Sequence, residues 1–176
     1  SPRPAARTPE AMPSSADYLA IDLGASSGRA VLGTLEGQRL TLREVHRFPN
    51  GPIERSTGLH WDTPRLFDEI KRSISLAAQL SPKLVGIGID TWGVDYALLS
   101  DSGQILDLPH HYRDPRTRGL MENAFEHLPR ERIYFRTGIQ FMPINTLYQL
   151  LAEQRDQRGL LARTRTLLFM PDLFNF

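Results

Sequence analysis

The chain has 176 residues, of which 40% are hydrophobic, 23% charged and 9% aromatic, enough for about one domain with a real core; a chain disordered throughout is excluded. Lys and Arg number 21 against 20 Asp and Glu, and the formal net charge of +1 gives no general pull toward nucleic acid or an anionic membrane, so neither is expected as a partner. There is no cysteine, which excludes disulfides, thiolate nucleophiles and Cys-ligated metals and accords with a reducing cytoplasm.

Residues 1–16 hold four of the 13 prolines, several Ser and Ala, and one large apolar side chain, Met12, and are expected to form a disordered tail. The tail has no apolar h-region, and no run in the chain approaches the roughly 18 apolar residues of a bilayer span, so a cytoplasmic location is expected. Three strands follow: YLAIDLG at 18–24, GRAVLGTL at 28–35 leading into the Glu36-Gly37 turn, and RLTLREVHRF at 39–48. Thr63 as N-cap and Pro64 at the first helical position open a helix in which Leu66, Phe67, Ile70, Ile74, Leu76, Ala77 and Leu80 recur at helical spacing, ending near Ser81-Pro82. LVGIGID at 84–90 is a continuous apolar run suited to a buried parallel strand, and VDYALLS leads into the Asp101-Ser102-Gly103 turn. From Arg116 onward RTRGLMENAFEHL, PRERIYFRTG and NTLYQLLAEQRDQRG read as helices, and TLLFMPD at 166–172 as a last strand. Periodicity supports an α/β fold with a mixed sheet, and the element order is that of a ribonuclease-H-like domain.

Three stretches carry chemistry. Between the first two strands, Gly24 and Gly28 permit a positive φ and close approach, Ser26 and Ser27 add hydroxyls, and Arg29 adds charge, so residues 24–29 can cradle a polyphosphate. Asp22 at the strand end can position Mg²⁺ through water. The same residues also read as a plain hairpin turn with Asp22 capping its amides. No GxxxxGK[ST] and no strand-linked GxGxxG occurs, which disfavours a P-loop or dinucleotide site.

In GIDTWGVDY, residues 88–96, an apolar strand runs into two carboxylates, an indole and a glycine. Trp92 offers a face for a sugar ring, Gly93 lets a hydroxylated ligand near the backbone, Asp90 and Asp95 can accept hydroxyl hydrogen bonds, and either aspartate could be a general base. The alternative is a core Trp92, a bulge at Gly93 and turn-capping aspartates. In PHHYRDPRT, residues 109–117, adjacent His110 and His111 lack ligand spacing for zinc; Tyr112, Arg113 and Asp114 read as a polar loop entering a helix, with Arg113 or Arg116 paired to an aspartate. His46, His60 and His127 read as satisfied surface or core histidines, and Arg163 and Arg165 as solvated charges.

DLGASSGR, GIDTWGVD and HYRDPRTRGLM, in this order with REVHRFPNG, RTGIQFMPINTLYQL and LLFMPD, resemble the N-terminal domain of the FGGY carbohydrate kinases from about Tyr18 to Phe176, and within that family the members acting on L-rhamnulose rather than glycerol or xylulose. The resemblance implies an actin/hexokinase-like ATPase fold of two ribonuclease-H-like domains with ATP and sugar in the cleft between them. On it, Ala25, Ser26, Ser27, Gly28 and Arg29 form the ATP phosphate loop, Asp22 assists Mg²⁺, Gly93 contacts the sugar, and Trp92, Asp95, Tyr112 and Arg113 line the sugar pocket. The implied reaction moves the γ-phosphoryl group of MgATP to the 1-hydroxyl of L-rhamnulose, with a carboxylate accepting the hydroxyl proton.

Family members are more than twice this long, and their catalytic aspartate, in a His-Asp-Thr segment, follows the point matching Phe176. Residues 17–176 are therefore expected to be one domain cut before its C-terminal partner, with no catalytic base and no turnover alone. Other readings are a different FGGY sugar kinase fragment, or a non-catalytic sugar-binding or interaction module, against which the intact phosphate loop argues. A two-metal nuclease built on Asp22 and Asp90 is disfavoured by Trp92-Gly93.

Overall fold

The computed structural model describes residues 15–156 and 158–176. β1 (Ser15–Leu23), β2 (Ser27–Glu36) and β3 (Arg39–Pro49) run antiparallel as a meander. The short hairpin β4 (Pro52–Arg55) and β5 (Gly58–Trp61) then leads into α1 (Thr63–Leu80), which returns the chain to β6 (Leu84–Thr91), parallel to β1. The sheet order is β3-β2-β1-β6, an α/β arrangement with a mixed sheet.

Alternation along β1 puts Leu19, Ile21 and Leu23 on one face. They pack with Ala30 and Leu32 of β2 and Phe48 of β3 against Leu66, Ile70 and Ala77 of α1. α1 buries that stripe because its apolar residues recur every three to four positions. Its cap is Asp62, whose Oδ1 accepts the Arg65 amide at 3.2 Å; Thr63 and Pro64 stand one position further in than the sequence suggests.

Beyond β6, β7 (Tyr96–Leu99) pairs with β8 (Thr166–Phe169) as a two-stranded ribbon. Between them come a 3₁₀ turn (Pro115–Thr117), α2 (Leu120–His127), α3 (Arg130–Thr137), α4 (Thr146–Arg155) and α5 (Leu160–Arg163), and α6 (Met170–Asn175) follows β8. Met170 and Phe174 of α6 close the core under the sheet. Under β7, Arg116 pairs with Glu153 at 2.9 Å, their side chains only 7% and 3% exposed, and Arg158 joins Glu153 to Asp107. This network fastens α4 to the loops before α2.

Several expectations need correction. Ser15 and Ala16 belong to β1, paired with Glu36 and Leu35, so the first strand begins inside the expected tail; residues 1–14, where the rest of that expectation falls, lie outside the described residues. β6 is parallel but not buried: among the described residues it pairs only with β1, at the sheet edge, leaving Val85 and Ile87 57% and 47% exposed. The last strand stops at Phe169, and Met170-Pro171-Asp172 starts α6, where Pro171 is tolerated in the first turn. The helix after Asn145 ends at Arg155, and Gly159, at φ 66°, separates it from α5. The β4–β5 hairpin carried no expectation.

Candidate active site

The parallel register of β1 and β6 sets Asp22 beside Asp90 and Leu23 beside Thr91, so both unusual stretches leave the sheet at the same end. This is where open α/β sheets place ligands. On the β1 side, the turn from Gly24 to Ser27 is closed by Gly24 N–H donating to Ser27 O at 2.9 Å. Asn50, beyond β3, donates its backbone N–H to Ser26 O at 3.0 Å and its side-chain amide to Gly24 O at 2.7 Å. Asn50 fixes the loop and was not anticipated.

Neither Gly24 nor Gly28 takes a positive φ, contrary to expectation. Gly28 is required for another reason: a Cβ there would run into the Phe48 ring. Arg29 faces Asp22 across the β1–β2 ladder and pairs with it at 2.8 Å, both side chains about half exposed. Asp22 and Asp90, in one row on the same sheet face, are oxygen donors of the kind a hard divalent cation takes. No group of three His, Asp or Glu side chains converges as a metal cage among the described residues. Two carboxylates in one row offer few ligands, a set that fits a hard cation keeping most of its own water.

On the β6 side, Asp95 is a hub. It is fully buried, 0% exposed. Its Oδ2 accepts the Trp61 indole N–H at 2.6 Å, the Trp92 indole N–H at 3.1 Å and the Tyr112 amide at 3.2 Å; its Oδ1 accepts the Gln149 side-chain amide at 2.7 Å. Burial pushes its pKa up to about 6 against the pull of these four donors. Trp61 and Trp92 stack with ring centroids 3.9 Å apart, and His111 packs against Trp61 at 4.0 Å and Tyr112 at 4.6 Å. Burial holds His111 down to about 4 and His110 to about 2, so both imidazoles are neutral near pH 7. His111 Nδ1 accepts the Arg113 amide, which places its proton on Nε2.

The backbone beside this hub is strained. Val94 has φ 68°, and Asp95 N–H donates to Gly93 O at 2.9 Å, closing a γ-turn with a positive φ on a β-branched residue. Above it opens a cleft of about 310 Å³ lined by Trp92, Gly93, Val94, Tyr112 and Ile144.

Residues 17–176 match the N-terminal domain of the FGGY family of carbohydrate kinases. The chain belongs to that family. It is 42% identical over 158 residues to a rhamnulokinase of Oceanobacillus iheyensis and 47% identical over 161 residues to one of Klebsiella pneumoniae, covering 90% of this chain and 34% and 33% of theirs. The chain thus spans about a third of the length of the curated relatives it matches. Among solved structures, xylulose kinase from Rhodospirillum rubrum matches with TM-score 0.77 at 16% identity, covering 90% of this chain and 34% of that one. Gluconate kinase from Lactobacillus acidophilus matches with TM-score 0.74 at 16% identity, covering 88% and 31%. These likenesses confirm the actin/hexokinase-like fold expected of the family.

Within this FGGY domain the cleft gathers Trp92, Gly93 and Tyr112, three of the nominated sugar-side residues. Asp95 lies beneath the cleft rather than on its surface, because four donors enclose it. Arg113 is exposed and lies over the Tyr112 ring at 5.3 Å, outside the lining. The expected arginine–aspartate pair is instead Arg116 with Glu153, while Asp114 accepts the Leu59 and Arg116 amides. His60 is the satisfied core histidine expected, bonded to Leu108 O and Thr57 Oγ1. Gly93 is no bulge; the left-handed residue is its neighbour Val94. Trp61, Val94, Ile144, Thr146 and Gln149 were missed. The one available signal was that Trp61 is the only other tryptophan in the chain.

Proposed function

We propose that this chain forms one wall of the catalytic cleft of an ATP-dependent sugar kinase that transfers the γ-phosphoryl group of MgATP to the 1-hydroxyl of L-rhamnulose. The observation that carries the reading is the cleft at the end of β6, where an indole face, an open glycine backbone and a tyrosine meet beside the phosphate-loop end of β1. Gly93 has nothing within 4 Å of where a Cβ would stand, leaving its backbone open to a ligand. Trp92 and Tyr112 suit the C–H face of a sugar ring, and Val94 and Ile144 give an apolar lining that matches the terminal methyl of a 6-deoxyketose. The relatives at 42% and 47% identity named rhamnulokinase favour this substrate over other sugars.

In this reading Ala25, Ser26, Ser27, Gly28 and Arg29 hold the ATP phosphates, with Asn50 keeping the loop in shape. Arg29, paired with Asp22 in this structure, would supply positive charge to the phosphates, and Asp22 would hold Mg²⁺ through its water shell. The cation, when bound, neutralises charge on the transferring phosphoryl group. The protein's own contribution is positioning, since a sugar resting on Trp92 and Gly93 presents a hydroxyl toward the loop end of β1.

The proton acceptor of this reading is the one the family resemblance implies, an aspartate in a His-Asp-Thr segment that is not among these residues. Asp95, the nearest carboxylate to the cleft residues, is sealed beneath them by its four donors. A calorimetric titration of the chain with L-rhamnulose, D-xylulose and glycerol, each with and without MgATP, tests the reading. Saturable, weak binding that ranks L-rhamnulose first is expected, because one wall of a cleft buries little of its ligand. Sub-micromolar binding of any sugar would instead favour a binding module, and rapid phosphorylation by this chain alone would refute the placement of the base.

A further inference from the structure

All five residues lining the cleft are tied to two buried residues that never reach its surface. Asp95 Oδ2 holds Trp92 through its indole and Tyr112 through its amide, and the Asp95 amide holds Gly93 O. Gln149, on the first turn of α4 and 2% exposed, spans the other two: its Nε2 donates to Asp95 Oδ1 at 2.7 Å and Ile144 O at 3.0 Å, and lies 3.5 Å from Val94 O. Val94 and Ile144 come from segments about fifty residues apart, and the Gln149 amide, with its two hydrogens on Asp95 Oδ1 and Ile144 O, links Ile144 to the residue that follows Val94. Thr146 adds a bond to Val94 O at 2.8 Å, so α4 clamps the strained γ-turn at the residue carrying the strain.

We propose that Gln149 is a positioning residue for sugar binding, acting with Asp95 as a buried clip that fixes the two sides of the cleft at the width a ketose needs. The proposal rests on the cleft being the sugar site. An uncharged amide suits the role because it supplies one N–H donor to a carboxylate and one to a backbone carbonyl without adding a charge that the interior would have to solvate. A leucine of similar size would leave Asp95 Oδ1 and the Ile144 carbonyl without this donor.

Trp61 and Trp92, the only tryptophans of the chain, both bond to Asp95, so intrinsic fluorescence reads the clip directly. The groups packed on Asp95 are Trp61 from β5, Trp92, the Tyr112 amide with His111 behind it, and Gln149 from α4; Tyr96, next in the chain, leads to Arg116 and Glu153. His111 stays neutral above about pH 4, which leaves Asp95 as the group titrating in this cluster near pH 6.

The experiment is a pH titration of tryptophan fluorescence without ligand, followed by L-rhamnulose titrations at pH 5 and pH 8, on the wild-type chain, Asp95→Asn, Gln149→Leu and Gln149→Glu. The wild type is expected to show a transition near pH 6 that Asp95→Asn abolishes. Loss of one donor to the carboxylate in Gln149→Leu raises that midpoint by about one pH unit and weakens L-rhamnulose about tenfold. Gln149→Glu keeps the shape but sets a second carboxyl against Asp95; its sugar binding is expected to be weak at pH 8 and recover at pH 5, where the two share a proton. A folded Gln149→Leu with an unmoved midpoint overturns the clip, and if that variant fails to fold, Gln149→Glu with equal affinity at both pH values does so. A midpoint that moves while the wild type ignores L-rhamnulose supports the clip and overturns the sugar reading instead.

Discussion

Trp61 and Trp92 lie stacked 3.9 Å apart and donate their indole N–H groups to the same oxygen of Asp95. One comes from the end of a short hairpin and the other from the end of the edge strand β6, so a single carboxylate joins two elements that share no sheet. The ring that offers its face to the cleft is therefore backed by a second ring and held at its N–H. A wall of this kind is preorganised, and a ligand resting on it orders little more.

Replacing Asp95 by Asn is expected to cost about 1–3 kcal/mol of stability at pH 7. Whichever way the new amide turns, its NH₂ faces a donor, either Gln149 or the two indoles with the Tyr112 amide. Urea unfolding followed by far-UV circular dichroism measures this, and an Asn variant as stable as the wild type would show that the hub is not under the constraint described.

Stability is expected to rise with pH between about 4.5 and 6.5. His110 and His111 are held neutral in the folded state, at about 2 and 4 against 6.5 in the free side chain, and His60 is lowered too, mainly by burial. In that window the unfolded chain binds protons at these histidines that the folded chain does not, so their contribution is present above 6.5 and lost as pH falls. Asp95 opposes them: its folded pKa of about 6 lies above the free value of 3.8, so its contribution is present below 3.8 and lost as pH rises through 6. Histidines outnumber the aspartate, and the net slope is on the order of 1.4 kcal/mol per pH unit for each net proton. Thermal melts across this range should show the midpoint climbing; a flat or falling midpoint contradicts the burial of the histidine pair.

Arg29→Ala separates two roles of the loop. The Asp22–Arg29 pair is about half exposed on both sides, so its loss is expected to change stability by less than about 1 kcal/mol. Binding of MgATP or a fluorescent ATP analogue, measured by anisotropy, is expected to weaken clearly. Unchanged nucleotide binding would remove Arg29 from the phosphate site.

Gly28→Ala is expected to destabilise by about 1–3 kcal/mol through overpacking, because the new methyl meets the buried Phe48 ring. The urea midpoint reads this, and a neutral substitution would mean that the loop and β3 pack more loosely than described.

Much of this fold is legible in the sequence. β1 to β3 declare themselves by alternation and tight turns, α1 by its Leu66, Ile70 and Ala77 stripe, and the two motifs by polar residues at strand ends. The β4–β5 hairpin does not, since four-residue strands carry too few apolar positions to show a period. An apolar run such as LVGIGID says strand but not whether another strand lies on its far side, which is why β6 reads as buried and stands at the edge. The hub is least legible: Trp61 and Gln149 lie 34 and 54 positions from Asp95 in sequence, and only the folded chain brings them to one carboxylate. Val94 is the opposite case, a β-branched residue whose intrinsic preference is extended and which tertiary contacts hold left-handed.

Gly93 offers the most direct test of the sugar wall. A Cβ at this position meets no atom within 4 Å and its φ is not left-handed, so Gly93→Ala is expected to leave the fold and its melting temperature unchanged while placing a methyl group in the cleft. Calorimetric titration of L-rhamnulose into the wild-type chain and into Gly93→Ala is the measurement. Saturable binding to the wild type, weakened about tenfold or more by the methyl group, equivalent to about 1.4 kcal/mol, is the expected result. Equal affinity of the two chains, or no saturable binding to either, would contradict the assignment of this cleft as the sugar site.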